Sequence, residues 1–98
     1  MSYLVVVTFD LETAESKDYD CVKEEFAKIN LYPTIKDENN KEFDLTKNTF
    51  AGKLEGQNTN NIRDNILSAV KSIFKNCKVK GRIFVSVGGN WAWGIANV

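Results

Sequence analysis

The 98-residue chain contains no histidine, one proline and only two cysteines. Each shortage excludes something. Without histidine there is no Ser-His-Asp triad, no Cys-His pair and no two-histidine ribonuclease site within one chain. Any catalysis must rest on carboxylates with a metal, or on lysine, arginine, tyrosine, serine or threonine. Cys21 and Cys77 have no CxxC spacing and no histidine to complete a zinc tetrahedron, so they read as two free buried thiols. The longest N-terminal apolar run, Tyr3 to Val7, is far shorter than a membrane span or the core of a signal peptide. The expectation is a cytoplasmic protein with no membrane partner. Repeats, low-complexity tracts and linkers are absent, and the length places residues 1–98 in a single domain with a modest core.

Charge is balanced overall but not along the chain. Residues 1–45 carry eleven carboxylates against five bases, and residues 46–98 carry two against eight. The late bases cluster at Lys71, Lys75, Lys78, Lys80 and Arg82. Such segregation marks either a footprint for an acidic partner or two halves that interleave into a mixed surface.

Tyr3 to Phe9 is rich in β-branched and aromatic residues and predicts a central strand buried on both faces. Tyr19, Val22, Phe26 and Ile29 recur at spacings of three and four. They predict a helix over 17–29, capped by Thr13 or Ser16 and ended by Asn30. Leu31 to Ile35 predicts a second strand, demoted to an edge or a strand start by Pro33. Asp37-Glu38-Asn39-Asn40 is a turn signal across which Phe43 and Leu45 pair back. Thr49 to Leu54 predicts a third strand. Ile62, Ile66, Leu67, Val70, Ile73 and Phe74 form the stripe of a second helix, with N-cap candidates at Asn58, Thr59 and Asn60. Arg82 to Val87 alternates, with Ile83, Val85 and Val87 on one face and Phe84 and Ser86 on the other. After Gly88-Gly89-Asn90, Trp91 to Val98 predicts one strand more. The fold class expected is α+β: a ferredoxin-like β-α-β-β-α-β sandwich with an extra C-terminal strand.

Several stretches carry a resemblance. "LVVVTFDL" (4–11) resembles the first strand of the small CRISPR-associated Cas-two proteins and of VapD, which an aspartate ends. "KNTFAGKLEG" (47–56) resembles their third strand, and "RIFVSVGGNWAWG" (82–94) their fourth strand and the segment after it. "DENNKEFDLTKNTFAG" (37–52) is similar to the turn and strand of GhoS, an antitoxin of the same fold that cuts messenger RNA. The chain departs from the Cas-two pattern in having Glu12, Glu15, Asp18 and Asp20 where an arginine-rich loop is usual. It also has Ala51 where a glutamate is common.

The resemblance implies a homodimer in which Asp10 is the catalytic residue and metal ligand, meeting its copy across the two-fold to hold Mg²⁺ in a metal-dependent endoribonuclease acting on RNA. The plainer reading of Asp10 is a turn or helix cap. Lys75, Lys78, Lys80 and Arg82 are candidates for nucleic-acid binding, or they are a solvated helix end. Trp91, Trp93 and Ile95 are candidates for a dimer interface, with the tail pairing to the partner's sheet edge. The tryptophans are alternatively a base-stacking platform. The other function expected is a non-catalytic dimeric adaptor or toxin–antitoxin component that binds nucleic acid or a protein partner from a toxin–antitoxin or defence locus.

Overall fold

The computed structural model describes residues 2–12 and 14–98. In chain order the elements are β1 (Ser2–Leu11), α1 (Ser16–Lys28), β2 (Thr34–Lys36), β3 (Glu42–Asp44), β4 (Thr49–Glu55), α2 (Thr59–Asn76) and β5 (Gly81–Gly88). β1 is the middle strand of an antiparallel sheet in the order β4-β1-β5. β2 and β3 form a separate hairpin, tied to the outer side of β4 by an antiparallel bridge between Tyr32 and Ala51. The chain is thus a small α+β structure with a three-stranded antiparallel sheet and two helices. Among the described residues no helix is long and apolar enough to cross a membrane.

The alternation of β1 decides what each face does. Tyr3, Val5, Val7 and Phe9 point to the helices and are buried with Val22 and Phe26 of α1 and Ile62, Ile66, Val70, Ile73 and Phe74 of α2. Phe9 stands at the centre of a cluster of four rings, 5.7 Å from Phe26, 5.6 Å from Phe74 and 5.9 Å from Phe50. The contacts with Phe26 and Phe74 are edge-to-face and that with Phe50 is stacked; both kinds add to the area they bury. The other face of β1 carries Leu4, Val6, Thr8 and Asp10. A second, smaller core covers only its N-terminal half: Leu4, Ile35 and Ala51 are buried, with Val6, Phe43, Leu45, Trp91 and Trp93 packed against them. Burial on both faces, expected for the whole strand, is therefore confined to that half, and the face lies open around Thr8 and Asp10.

Both helices stop in the same way. Asn30, with φ of 63°, sends its N–H to the Ala27 carbonyl, and Leu31 sends its N–H to that of Phe26. Lys78, with φ of 58°, donates to Lys75, and Val79 donates to Phe74. These are two Schellman motifs, and the residues that close them, Leu31 and Val79, join the same core cluster as Phe26 and Phe74. α2 begins at Asn58, whose Oδ1 accepts the Asn61 amide at 2.8 Å. The cap of α1 is Glu15 rather than Ser16, with the Asp18 carboxylate accepting the Glu15 amide at 2.9 Å. Thr13 lies outside the described residues.

Two expectations are corrected. Cys21 and Cys77 are not free thiols: they form a disulfide that joins α1 to the C-cap of α2, with Cα atoms 5.9 Å apart. The helices pack so that positions 56 residues apart meet, which spacing along the chain does not reveal. The C-terminal strand is also absent from the single chain. Residues 91–98 carry no regular structure. A strand needs a ladder partner, and here the bend at 89–90 takes the tail off β5, so that Trp91 and Trp93 fold back onto their own hairpin.

Candidate interaction surface on the open sheet face

Asp10 lies one residue from the end of the central strand and is exposed. Its place is set by its neighbours. Phe9 is held in the ring cluster, and its N–H donates to the Asn48 carbonyl at 3.2 Å. On the other side Glu12 N–H donates to the Lys80 carbonyl at 2.8 Å. Gly81 allows this approach, since a Cβ there would strike the Asp10 carbonyl oxygen. The register that results pairs Asp10 with Arg82 and Thr8 with Phe84. Register partners in an antiparallel pair share a face with side chains a few ångströms apart. The open half of the face is therefore an acid, a base and a phenyl ring. Phe84 is 62% exposed, unusual for a large apolar side chain in the middle of a strand. Asp10 does not cap α1, which Glu15 and Asp18 close.

The metal site that the resemblance implies is shared between two chains, and one chain offers it Asp10 alone. Among the described residues no group of three or more Cys, Asp or Glu side chains gathers as a metal cage would. A hard divalent cation takes several oxygen ligands, whereas Asp10 has a guanidinium as its register neighbour. Within one chain Asp10 would supply a single carboxylate ligand, and the rest of the coordination would have to come from outside it.

The four basic candidates do not share one face. Lys75 and Lys78 belong to the helix layer, Arg82 to the opposite face of the sheet, and Lys80 to the edge between them. The disulfide places Asp20 and Lys78, neighbours of Cys21 and Cys77, at the same corner. The charge segregated along the sequence is thus mixed in space at that corner.

Trp91 and Trp93 are half-buried in the single chain, while Ile95 is 42% exposed. Trp93 meets Phe43 edge-on at 5.9 Å, and the Lys53 ammonium lies 5.8 Å from the Trp91 ring centroid. Around them run two adjoining clefts that the sequence pattern did not disclose. One, of 530 Å³, is lined by Tyr32, Ile35, Lys36 and Lys53 among others. The other, of 510 Å³, is lined by Lys36, Phe43, Lys53, Trp91 and Trp93. Their residues come from four separated segments, and only the repeated pairing of lysine with aromatic side chains hints at them in sequence. No protein-family model matches the chain, and no curated protein matches it.

Proposed function

We propose that the chain is a ferredoxin-like module, akin in form to the Cas-two, VapD and GhoS proteins it resembles, that works as a homodimer and binds RNA without cutting it. The sheet order supports the fold: with the Tyr32–Ala51 bridge, the strands run β5-β1-β4-β2, the order of two interleaved split βαβ units. The observation that carries the functional reading is Arg82 in register with Asp10. An acid beside a base, next to an exposed phenyl, is self-complementary under a two-fold axis: each Asp10 can meet the partner's arginine while the rings bury one another. A lone carboxylate beside a guanidinium suits adhesion better than metal chemistry. This assigns dimer contact to Phe84, Asp10 and Arg82 rather than to the tryptophans, which have partners in their own chain. Lys75, Lys78 and Lys80 are left to follow a phosphate backbone around the β5 edge.

A second reading, the metal-dependent nuclease, is favoured by one observation: Asp10 is exposed at the end of the central strand, where a two-fold would bring a second carboxylate. Incubating the protein with a mixed-sequence RNA and Mg²⁺ separates the two. The binding module leaves the RNA intact, as does Asp10→Asn. Cleavage that requires Mg²⁺ and disappears in Asp10→Asn would establish the nuclease instead.

A further inference from the structure

We infer that the two clefts beneath the β2–β3 hairpin form a binding site for one dinucleotide step of a single-stranded nucleic acid, with a base in each cleft and the bridging phosphate between Lys36 and Lys53. The proposal rests on the reading of RNA as the partner but not on the dimer.

The layout of the groove points to this ligand. The two clefts, 530 and 510 Å³, fall in the range of about 300–1,000 Å³ typical of small-ligand sites. The residues common to both are Lys36 and Lys53, so the cations stand at the junction. Tyr32 and Trp93 stand outward of it, while Trp91 lies against the junction with the Lys53 ammonium 5.8 Å from its ring centroid. Tyr32, 46% exposed, is on one side, and Trp91 and Trp93 are on the other. The order along the groove is ring, cation, ring, which matches base, phosphate, base. Bases stack on aromatic faces with little sequence preference, and lysine acts on a phosphate as a point charge.

The surface is also braced for the task. Phe43 holds Trp93 edge-on, and the β2–β3 turn is fixed by Asp37, whose Oδ1 accepts the amides of Asn39 and Lys41 at 2.9 Å each. That carboxylate lines the second cleft, with its Oδ1 engaged by the turn. Glu38 lines the second cleft and Glu42 the first, where Glu42 is the register partner of Lys36; Lys53, opposite Leu4, is the junction cation whose register partner bears no charge. The lysine-rich end of α2 would supply contacts to the backbone only; this site would grip bases.

The chain's two tryptophans both belong to the site, so intrinsic fluorescence reports on it without a label. The experiment titrates the full chain with decauridylate RNA at about 50 mM salt, following tryptophan emission. Fluorescein-labelled decauridylate is followed by anisotropy in parallel. The expected result is saturable quenching with a Kd of about 1–100 µM that coincides with the anisotropy curve. Lys36→Gln with Lys53→Gln should weaken binding roughly tenfold, and Tyr32→Ala should weaken it by a similar factor through lost stacking. Lys17→Gln with Lys28→Gln, the same charge change on the far helix, should leave it within about twofold. Circular dichroism checks that each variant folds. Anisotropy that rises without quenching, or quenching indifferent to Lys36 and Lys53, would overturn the site while leaving RNA binding intact. No change in either signal would overturn both. Equal quenching by poly-glutamate would also overturn the site, because it would then take an acidic protein rather than a nucleic acid.

Discussion

Lys78 is a residue in a conformation that suits glycine. With φ of 58° at the end of α2, it bears the left-handed penalty of roughly 1–2 kcal/mol that an L side chain incurs. Its N–H nonetheless closes the Schellman motif. Lys78→Gly should raise stability by about 1 kcal/mol in urea denaturation, and a loss of stability would show that the lysine side chain contributes more than its backbone costs. Phe26 tests the opposite case. It is fully buried, 4.9 Å from Phe50, and Phe26→Ala should cost about 3–5 kcal/mol, measured in the same way. Asn30 was legible as a helix stop in the sequence because asparagine tolerates the left-handed region. The equivalent stop at Lys78 was not, since nothing in lysine announces it.

At the level of elements, the disulfide is the strongest tie between the two helices. It closes a loop of 56 residues in sequence separation, for which chain entropy alone gives about 4 kcal/mol. Cys21→Ser with Cys77→Ser should lower unfolding free energy by roughly 2–4 kcal/mol. An unchanged midpoint would mean that the helices pack equally well without it. Protein purified without reductant and unfolded in iodoacetamide should show no adduct by mass until a reductant is added, then two. A disulfide persists in oxidising surroundings, so a cytoplasmic location, still a proposal, implies that the bond is opened there. The regular elements were legible where a pattern is local: the 3.6-residue stripes of α1 and α2, the alternation of β5, the Asp37–Asn40 turn. The tail was not. Trp91, Trp93 and Ile95 alternate as a strand does, but strand identity depends on a neighbour, and the neighbour these rings find is the hairpin beneath which they pack. The disulfide and the paired clefts were hidden for the same reason, since each joins segments far apart in the chain.

At the scale of the whole molecule, the open half of the sheet is the decisive feature. The helix layer and the hairpin cover everything else on β1 and leave Thr8, Asp10, Arg82 and Phe84 outside. On the proposed reading, an exposed apolar residue flanked by one acid and one base would find its complement in a second copy with the same arrangement. RNA would then lie on the hairpin clefts and the β5 edge, away from that contact, so that dimer formation and RNA binding can be separated by mutation. The most direct measurement is sedimentation equilibrium on the full chain and on Phe84→Glu at tens of micromolar. The wild-type chain should sediment at twice its 11.1 kDa mass, and Phe84→Glu, folded by circular dichroism, should sediment at the monomer mass. A wild-type monomer, or a Phe84→Glu protein that remains a dimer, would contradict the claim that the open face joins two copies.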